Sequence, residues 1–266
     1  LMAITAAAMA RDGDERLASL TLLAALTDFH EAGELRLFIN DSQLALLEDM
    51  MDERGYLEGP RMMGTFNLLR SNDLIWSRMV REYMMGERRR LIDIMAWSLD
   101  TTRMPARMHA EYLRSLYLDN DLAEGRYQVE GRTIALQDIR APVFVLGAEW
   151  DHIAPWRAVY KIHLSLDTSV TFALTNGGHN QGVVSPPGTE GRVHRLATRH
   201  DHEQHIDPDS WLVRHPPREG TWWTSWVTWL EGHSPGAMVA PPPLGKPSAG
   251  YPVLAEAPGS YVRVKG

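Results

Sequence analysis

The chain has 266 residues, 44% of them hydrophobic, which is enough to bury a substantial core, and its acidic and basic residues are interspersed rather than segregated. A formal net charge of −7 argues against the basic face that a nucleic-acid partner requires, and the absence of cysteine excludes disulfides, a thiolate nucleophile and thiolate metal sites within these residues. No run approaches the ~18 consecutive apolar residues of a membrane span, and no positive region precedes the apolar start as in a signal peptide, so a soluble, cytoplasmic chain is expected.

Leu1 to Arg11 is alanine-rich and reads as a helix; no N-cap residue stands ahead of it, which predicts a longer parent chain. After a loop at Arg11 to Asp14, Leu17 to Leu26 is apolar, short and turn-bounded, the pattern of a buried parallel strand. From Phe29 to Ile139 the texture changes to helical periodicity rich in Met and aromatic residues. Candidate helices are Glu34 to Phe38, Ser42 to Glu53, Arg61 to Leu69, Asp73 to Met85, Leu91 to Leu99 and Met104 to Tyr117, and the basic run Arg88 to Arg90 suits a helix end on a solvated face. Gln128 to Leu136 reads as a hairpin. Val143 to Ala148 and Val170 to Leu174 are two further buried strands with a helix, Trp156 to Leu166, between them. Strand, helix, strand is a βαβ unit, so an α/β fold with a mostly parallel sheet is expected. The division that follows is a core in two segments, 1–28 and 140–233, an inserted helical cap at 29–139 and an extended tail at 234–266, rich in Pro, Gly and Ala. Ahead of the tail, Thr221 to Glu231 predicts a helix with Trp222, Trp226 and Trp229 on one face, suited to packing on the sheet.

The residues that carry chemistry stand behind two of these strands. In GAEWDHIAPW (147–156), Asp151 falls just past the C-terminal end of one strand, and in TNGGHN (175–180) a glycine turn carries His179 to the same edge after the next. Ligands and catalytic groups of open α/β sheets collect there. In α/β-hydrolases the triad runs nucleophile, acid, base, with the acid after one strand and the histidine after the following one. An imidazole can take a proton from a nucleophile and return it to the leaving group, while an aspartate fixes its tautomer and stabilises the imidazolium. The simpler alternatives are a helix-capping aspartate and a hydrogen-bonded loop histidine. No Gly-x-Ser-x-Gly or Gly-x-Cys-x-Gly elbow accompanies the pair. Ser19 lies within a strand pattern and Ser42 at a helix N-cap, and the helix Leu1 to Arg11 takes the place of the one that follows an elbow. The nucleophile is therefore expected upstream of Leu1.

These residues resemble the polyhydroxyalkanoate synthases, which polymerise (R)-3-hydroxyacyl-CoA thioesters into storage polyester. The matching stretches are LASLTLLAALTDF (17–29), GELRLFIN (33–40), NDLIWS (72–77), DTTRMP (100–105), MHAEYLRSLYLDNDLAEG (108–125), IRAPVFVLGAEWDHIAPW (139–156), GGHNQGV (177–183) and GTWWTSWVTWL (220–230), which together cover most of the chain. NDLIWS and the Asp-His-Ile-Ala-Pro-Trp element are the most specific. The resemblance implies the α/β-hydrolase fold with a helical cap, Asp151 as acid or orienter, His179 as general base, and a cysteine nucleophile in an elbow absent from this sequence, so these residues alone are expected to be inactive. No cofactor or metal is implied. Partners implied are the acyl-CoA, the growing polyester, a second subunit through the cap and the surface of a polyester granule.

Around this pair, His152 is either a substrate-orienting residue or a turn hydrogen-bonder, and Trp76 of NDLIWS either packs in the core or cap or touches substrate. The methionines Met50, Met51, Met62, Met63, Met84 and Met85 suit an adaptable cover over an apolar substrate or plain core filling. The tryptophan face has granule binding as its alternative. Two other functions use the same features: a polyester depolymerase or esterase with water as acceptor, and a non-catalytic homologue that binds granules. The residue at the elbow discriminates them, Cys for transfer, Ser for hydrolysis and neither for a binding role.

Overall fold

The computed structural model describes residues 1–59, 61, 64, 75–87, 93, 97 and 102–260. In chain order its main elements are α1 (Met2–Arg11), β1 (Leu20–Leu23), a 3-10 turn (Glu34–Phe38), α2 (Asp41–Asp52), β2 (Tyr56–Leu57), β3 (Met104–Pro105), α3 (Ala106–Tyr112), which runs on as a π-helical segment (Leu113–Leu118), β4 (Gln128–Val129), β5 (Arg132–Thr133), β6 (Val143–Ala148), α4 (Trp156–Tyr160), β7 (Val170–Thr175), α5 (His179–Val183), β8 (Val193–Arg199), α6 (Pro208–Arg214), β9 (Arg218–Glu219) and α7 (Trp222–Gly232). The chain divides into two compact units, Leu1–Met50 with Arg107–Ser234, and Met51–Ala106 with Pro235–Gly266.

The first unit is built on a sheet of order β1-β6-β7-β8-β9. β1, β6 and β7 are parallel, Leu20 standing opposite Val143 and Val143 opposite Val170, whereas β8 runs antiparallel to β7. Every residue of β6 and β7 is buried, because side chains alternate between two covered faces. Val143, Val145, Phe172 and Leu174 join Leu20 and Leu22 in a large cluster with Ala3, Ile4 and Ala7 of α1 and Val159 and Tyr160 of α4. The alanines of α1 let that helix approach closely. Phe144, Leu146 and Ala173 point the other way, into a smaller cluster closed by Trp222. Each buried Val, Leu, Ile or Phe among these contributes roughly 1.5–3 kcal/mol by leaving water.

The mixed α/β architecture and the parallel β1-β6-β7 ladder follow the expectation. The strand expected at Leu17 to Leu26 is ordered as a ladder only over Leu20–Leu23, and the helix expected over Met104 to Tyr117 begins with two residues of strand that pair with Tyr56 and Leu57. Both ends of the segment expected to form the cap supply core residues, Phe29 and Ala32 at one end, Leu116, Tyr117, Leu122 and Ile134 at the other. β8, α6 and α5 have no counterpart in the sequence expectation. The candidate helices at Arg61 to Leu69 and Leu91 to Leu99 and the run Arg88 to Arg90 lie largely outside the described residues.

The second unit carries the β2-β3 ladder, where the Arg103 guanidinium stacks over the Tyr56 ring at 4.7 Å. Of the Asp73 to Met85 helix, Met79–Met84 is π-helical, with Tyr83, Met84 and Met85 exposed, while Met51 is buried. Residues 235–260 are exposed almost throughout, apart from a short 3-10 turn, Pro247–Ala249. Among the described residues no helix is long and apolar enough to cross a membrane.

A histidine buried behind α4 sets an acid limit on stability. His163 packs against Tyr160, Phe172 and His205, and its Nδ1 accepts from the Arg199 Nε at 3.3 Å. Burial, then the charges of Arg199 and His205, push it down to about 3. Its unfolded counterpart takes up a proton below about 6.5, so between these two values the unfolded state binds more protons and stability falls as pH falls. At about 1.4 kcal/mol per pH unit, wild-type protein should lose about 2 kcal/mol between pH 6.5 and 5 relative to His163→Gln, which keeps an acceptor for Arg199. Urea unfolding at several pH values checks this; parallel curves for the two proteins would contradict it.

Candidate active site

Two loops at the C-terminal edge of β6 and β7 meet backbone to backbone. Glu149 N donates to Thr175 O at 2.9 Å and Trp150 N to Gly177 O at 3.0 Å, while Asp151 N closes back on Ala148 O at 3.2 Å. Gly177 makes the tight turn that its sequence predicts, with φ +103° and Arg192 Nη1 2.9 Å from where a Cβ would stand. His179 follows as the first residue of α5.

The result is a 2.8 Å hydrogen bond between Asp151 Oδ2 and His179 Nδ1. The Asp151 side chain is fully buried, whereas His179 is 33% exposed. The other carboxylate oxygen, Oδ1, accepts from Ile153 N at 2.9 Å and Ala154 N at 2.8 Å. Asp151 therefore does two things at once. It caps the start of the backbone leading into α4, the bland reading of an aspartate in this place, and it presents its second oxygen to the imidazole. With Nδ1 committed to a carboxylate that only accepts, Nε2 is the nitrogen with a lone pair, and it makes no hydrogen bond to any described residue. Chemically this is an oriented imidazole, partly open to solvent, able to take and return a proton, with a buried anion beside it to stabilise the charged ring.

The other expected site residues fare differently. His152 is half-buried beside the acid, and its carbonyl oxygen approaches the Glu34 N–H at 3.4 Å. Trp76 lies in the second unit and is 57% exposed. The cap expected as the simpler alternative for Asp151 is present, its N–H donors being Ile153 and Ala154. Two further features are not marked by residue type. Gly33, with φ +68°, lies directly against the His152 carbonyl. Trp222 and Trp223 donate their indole N–H groups to the carbonyls of Gly182 and Val183, in the helix that carries His179.

No family model matches the sequence. Among curated proteins it is 38% identical over 266 residues, the whole chain, to a poly(3-hydroxyalkanoate) polymerase of Methylorubrum extorquens, covering 43% of that protein. It is 37% identical over 265 residues to the poly(3-hydroxyalkanoate) polymerase subunit PhaC of Rhizobium meliloti (strain 1021), covering all of this chain and 42% of the relative. To the PhaC subunit of Cupriavidus necator it is 33% identical over 265 residues, 97% of this chain and 44% of the relative. The chain thus spans less than half the length of each of these relatives. Matched over 97–100% of its length by three such proteins, the chain belongs to the poly(3-hydroxyalkanoate) polymerase family.

Proposed function

We propose that the complete protein is an acyltransferase that polymerises (R)-3-hydroxyacyl-CoA, with His179 as general base, Asp151 as its orienting acid and a cysteine nucleophile supplied from outside this sequence. The observation that carries the reading is the 2.8 Å Asp151–His179 hydrogen bond at the C-terminal edge of two parallel strands, in a chain related over its whole length to polymerases. On this reading the first unit is part of an α/β-hydrolase fold. The cap lies within residues 29–139, of which 51–106 belong to the second compact unit. Residues 234–266 form its tail. His152 and Trp76 are proposed to face substrate, and the cap to join a second subunit. The protein acts in the cytoplasm at the surface of the polyester granule.

The steps follow from the orientation of the imidazole. His179 Nε2 takes the thiol proton, and the thiolate adds to the thioester carbonyl of the acyl-CoA. The tetrahedral adduct collapses with cleavage of the C–S bond to CoA, whose sulfur receives the proton from His179. The enzyme then holds the acyl unit as a thioester. The hydroxyl end of the growing chain gives its proton to Nε2 and attacks that carbonyl, forming the ester and freeing the cysteine thiol. No step requires a redox partner.

The test is to supply 3-hydroxybutyryl-CoA to the complete protein and to the 266-residue chain, following CoA release and product together. Polymer with stoichiometric CoA from the complete protein, and no turnover by the cysteine-free chain, is the expected result. Free 3-hydroxybutyrate without polymer would make the protein a hydrolase, and no CoA release would support a binding role.

A further inference from the structure

Helix α5 carries His179 but is too short to hold itself. It has five residues, less than two turns, and isolated helices of that length are not stable in water. Two backbone bonds mark the turn, Gly182 N to Gly178 O at 2.7 Å and Val184 N to Asn180 O at 2.8 Å. The carbonyls at the end of such a helix have no partner within it. Here they are taken up by consecutive side chains at the start of α7: Trp222 Nε1 donates to Gly182 O and Trp223 Nε1 to Val183 O, each at 2.9 Å, and the Thr221 hydroxyl donates to Ser185 O. Trp222 is 1% exposed, so water cannot replace its N–H.

The start of α7 is anchored independently of α5. Thr221 Oγ1 accepts from Trp223 N at 3.2 Å as the N-cap. On β8, buried His194 bonds the Gly220 carbonyl through Nδ1 and the Ser225 hydroxyl through Nε2, each at 2.9 Å. A carbonyl only accepts, so Nδ1 carries the proton and Nε2 accepts from Ser225. Trp226 Nε1 reaches Thr21 Oγ1 on β1 at 3.1 Å. From below, α5 rests on the sheet at Gly182, where an added Cβ would lie 2.8 Å from the Cβ of Ala148. The helix can therefore neither sink nor, while the indoles hold, lift.

We propose that Trp222 and Trp223 are positioning residues: their indole N–H groups clamp the end of α5 and so keep His179 in hydrogen-bond register with Asp151. This rests on the reading of His179 as the general base. Neither tryptophan touches the imidazole; they act through one turn of backbone.

The test uses the complete protein with Trp222 or Trp223 replaced by β-(3-benzothienyl)alanine, which keeps the shape of indole but lacks its N–H. Trp229→Phe serves as control. Trp229 packs on Phe144 of the same cluster, with ring centroids 5.5 Å apart, but its N–H donates to no described residue. Loss of either N–H should lower kcat for CoA release about tenfold with KM within about twofold, as expected of a small misplacement of a catalytic group. It should also weaken the low-field NMR signal of the His179 Nδ1–H proton, while Trp229→Phe lowers Tm but leaves kcat and that signal unchanged. A fall in Tm alone for the Trp222 and Trp223 replacements, with kcat and the imidazole signal intact, would overturn the clamp. If the wild-type protein releases no CoA, the catalytic reading fails, and the imidazole signal still decides whether the clamp exists.

Discussion

Asp151→Asn should lower kcat for CoA release by the complete protein by about 10⁴, the loss seen when a triad aspartate is replaced by its amide, with little change in Tm. The reason lies in how the two carboxylate oxygens are used. Oδ1 accepts from the Ile153 and Ala154 N–H groups, and an asparagine keeps those bonds only by leaving its carbonyl oxygen there. Its NH₂ then faces His179 Nδ1 in place of Oδ2. A donor opposite Nδ1 forces the proton onto Nε2, and the imidazole can no longer accept one where the chemistry needs it. Fold and loop survive while the tautomer is reversed. His179→Gln should cost at least as much, since it removes the base itself. Near-wild-type rates in both variants would show that the pair is a structural cap, the reading in which Asp151 only closes the turn into α4.

How legible all this was in the sequence depends on where the information sits. β6 and β7 announced themselves because both faces of each are covered, which makes every residue apolar or small. Asp151 and His179 were legible because their position after those strands is fixed by the chain. β8 was not. Its residues VHRLATR alternate poorly, and two of them are arginines that look exposed. In the fold, Arg195 Nη1 donates to His215 O at 2.6 Å and Arg199 Nη2 to Leu166 O at 2.8 Å, so their charged ends satisfy loop carbonyls. Composition cannot distinguish such an arginine from a solvated one. α5 was hidden for a related reason. HNQGV has no helical periodicity, and what makes it helical is the set of donors contributed by α7 about forty residues further on. The tryptophan face of α7 was legible as core packing, which Trp222 bears out, but the use of its N–H groups was not.

Gly33→Ala should destabilise the protein by about 3 kcal/mol and lower kcat by ~10- to 100-fold, although Gly33 is far from Asp151 in sequence. The residue has φ 68° and ψ −162°, a region essentially restricted to glycine. Strain is only half of the effect. A Cβ there would stand 2.4 Å from the His152 carbonyl oxygen and 3.1 Å from that of Ile153, both backbone atoms with no rotamer by which to escape. The carbonyls that must move belong to the same loop whose next N–H groups hold Asp151 Oδ1, so the displacement reaches the acid directly. Gly13→Ala separates the two contributions: Gly13 also has a positive φ, +73°, but nothing within 4 Å of the added methyl. It should cost only the backbone term, about 1–2 kcal/mol, and leave kcat unchanged. Urea unfolding and CoA-release kinetics on the two variants measure both terms. Equal stability losses with equal, unaltered rates would mean that the loop around His152 yields freely, and that the packing of Gly33 against it has no part in holding the acid.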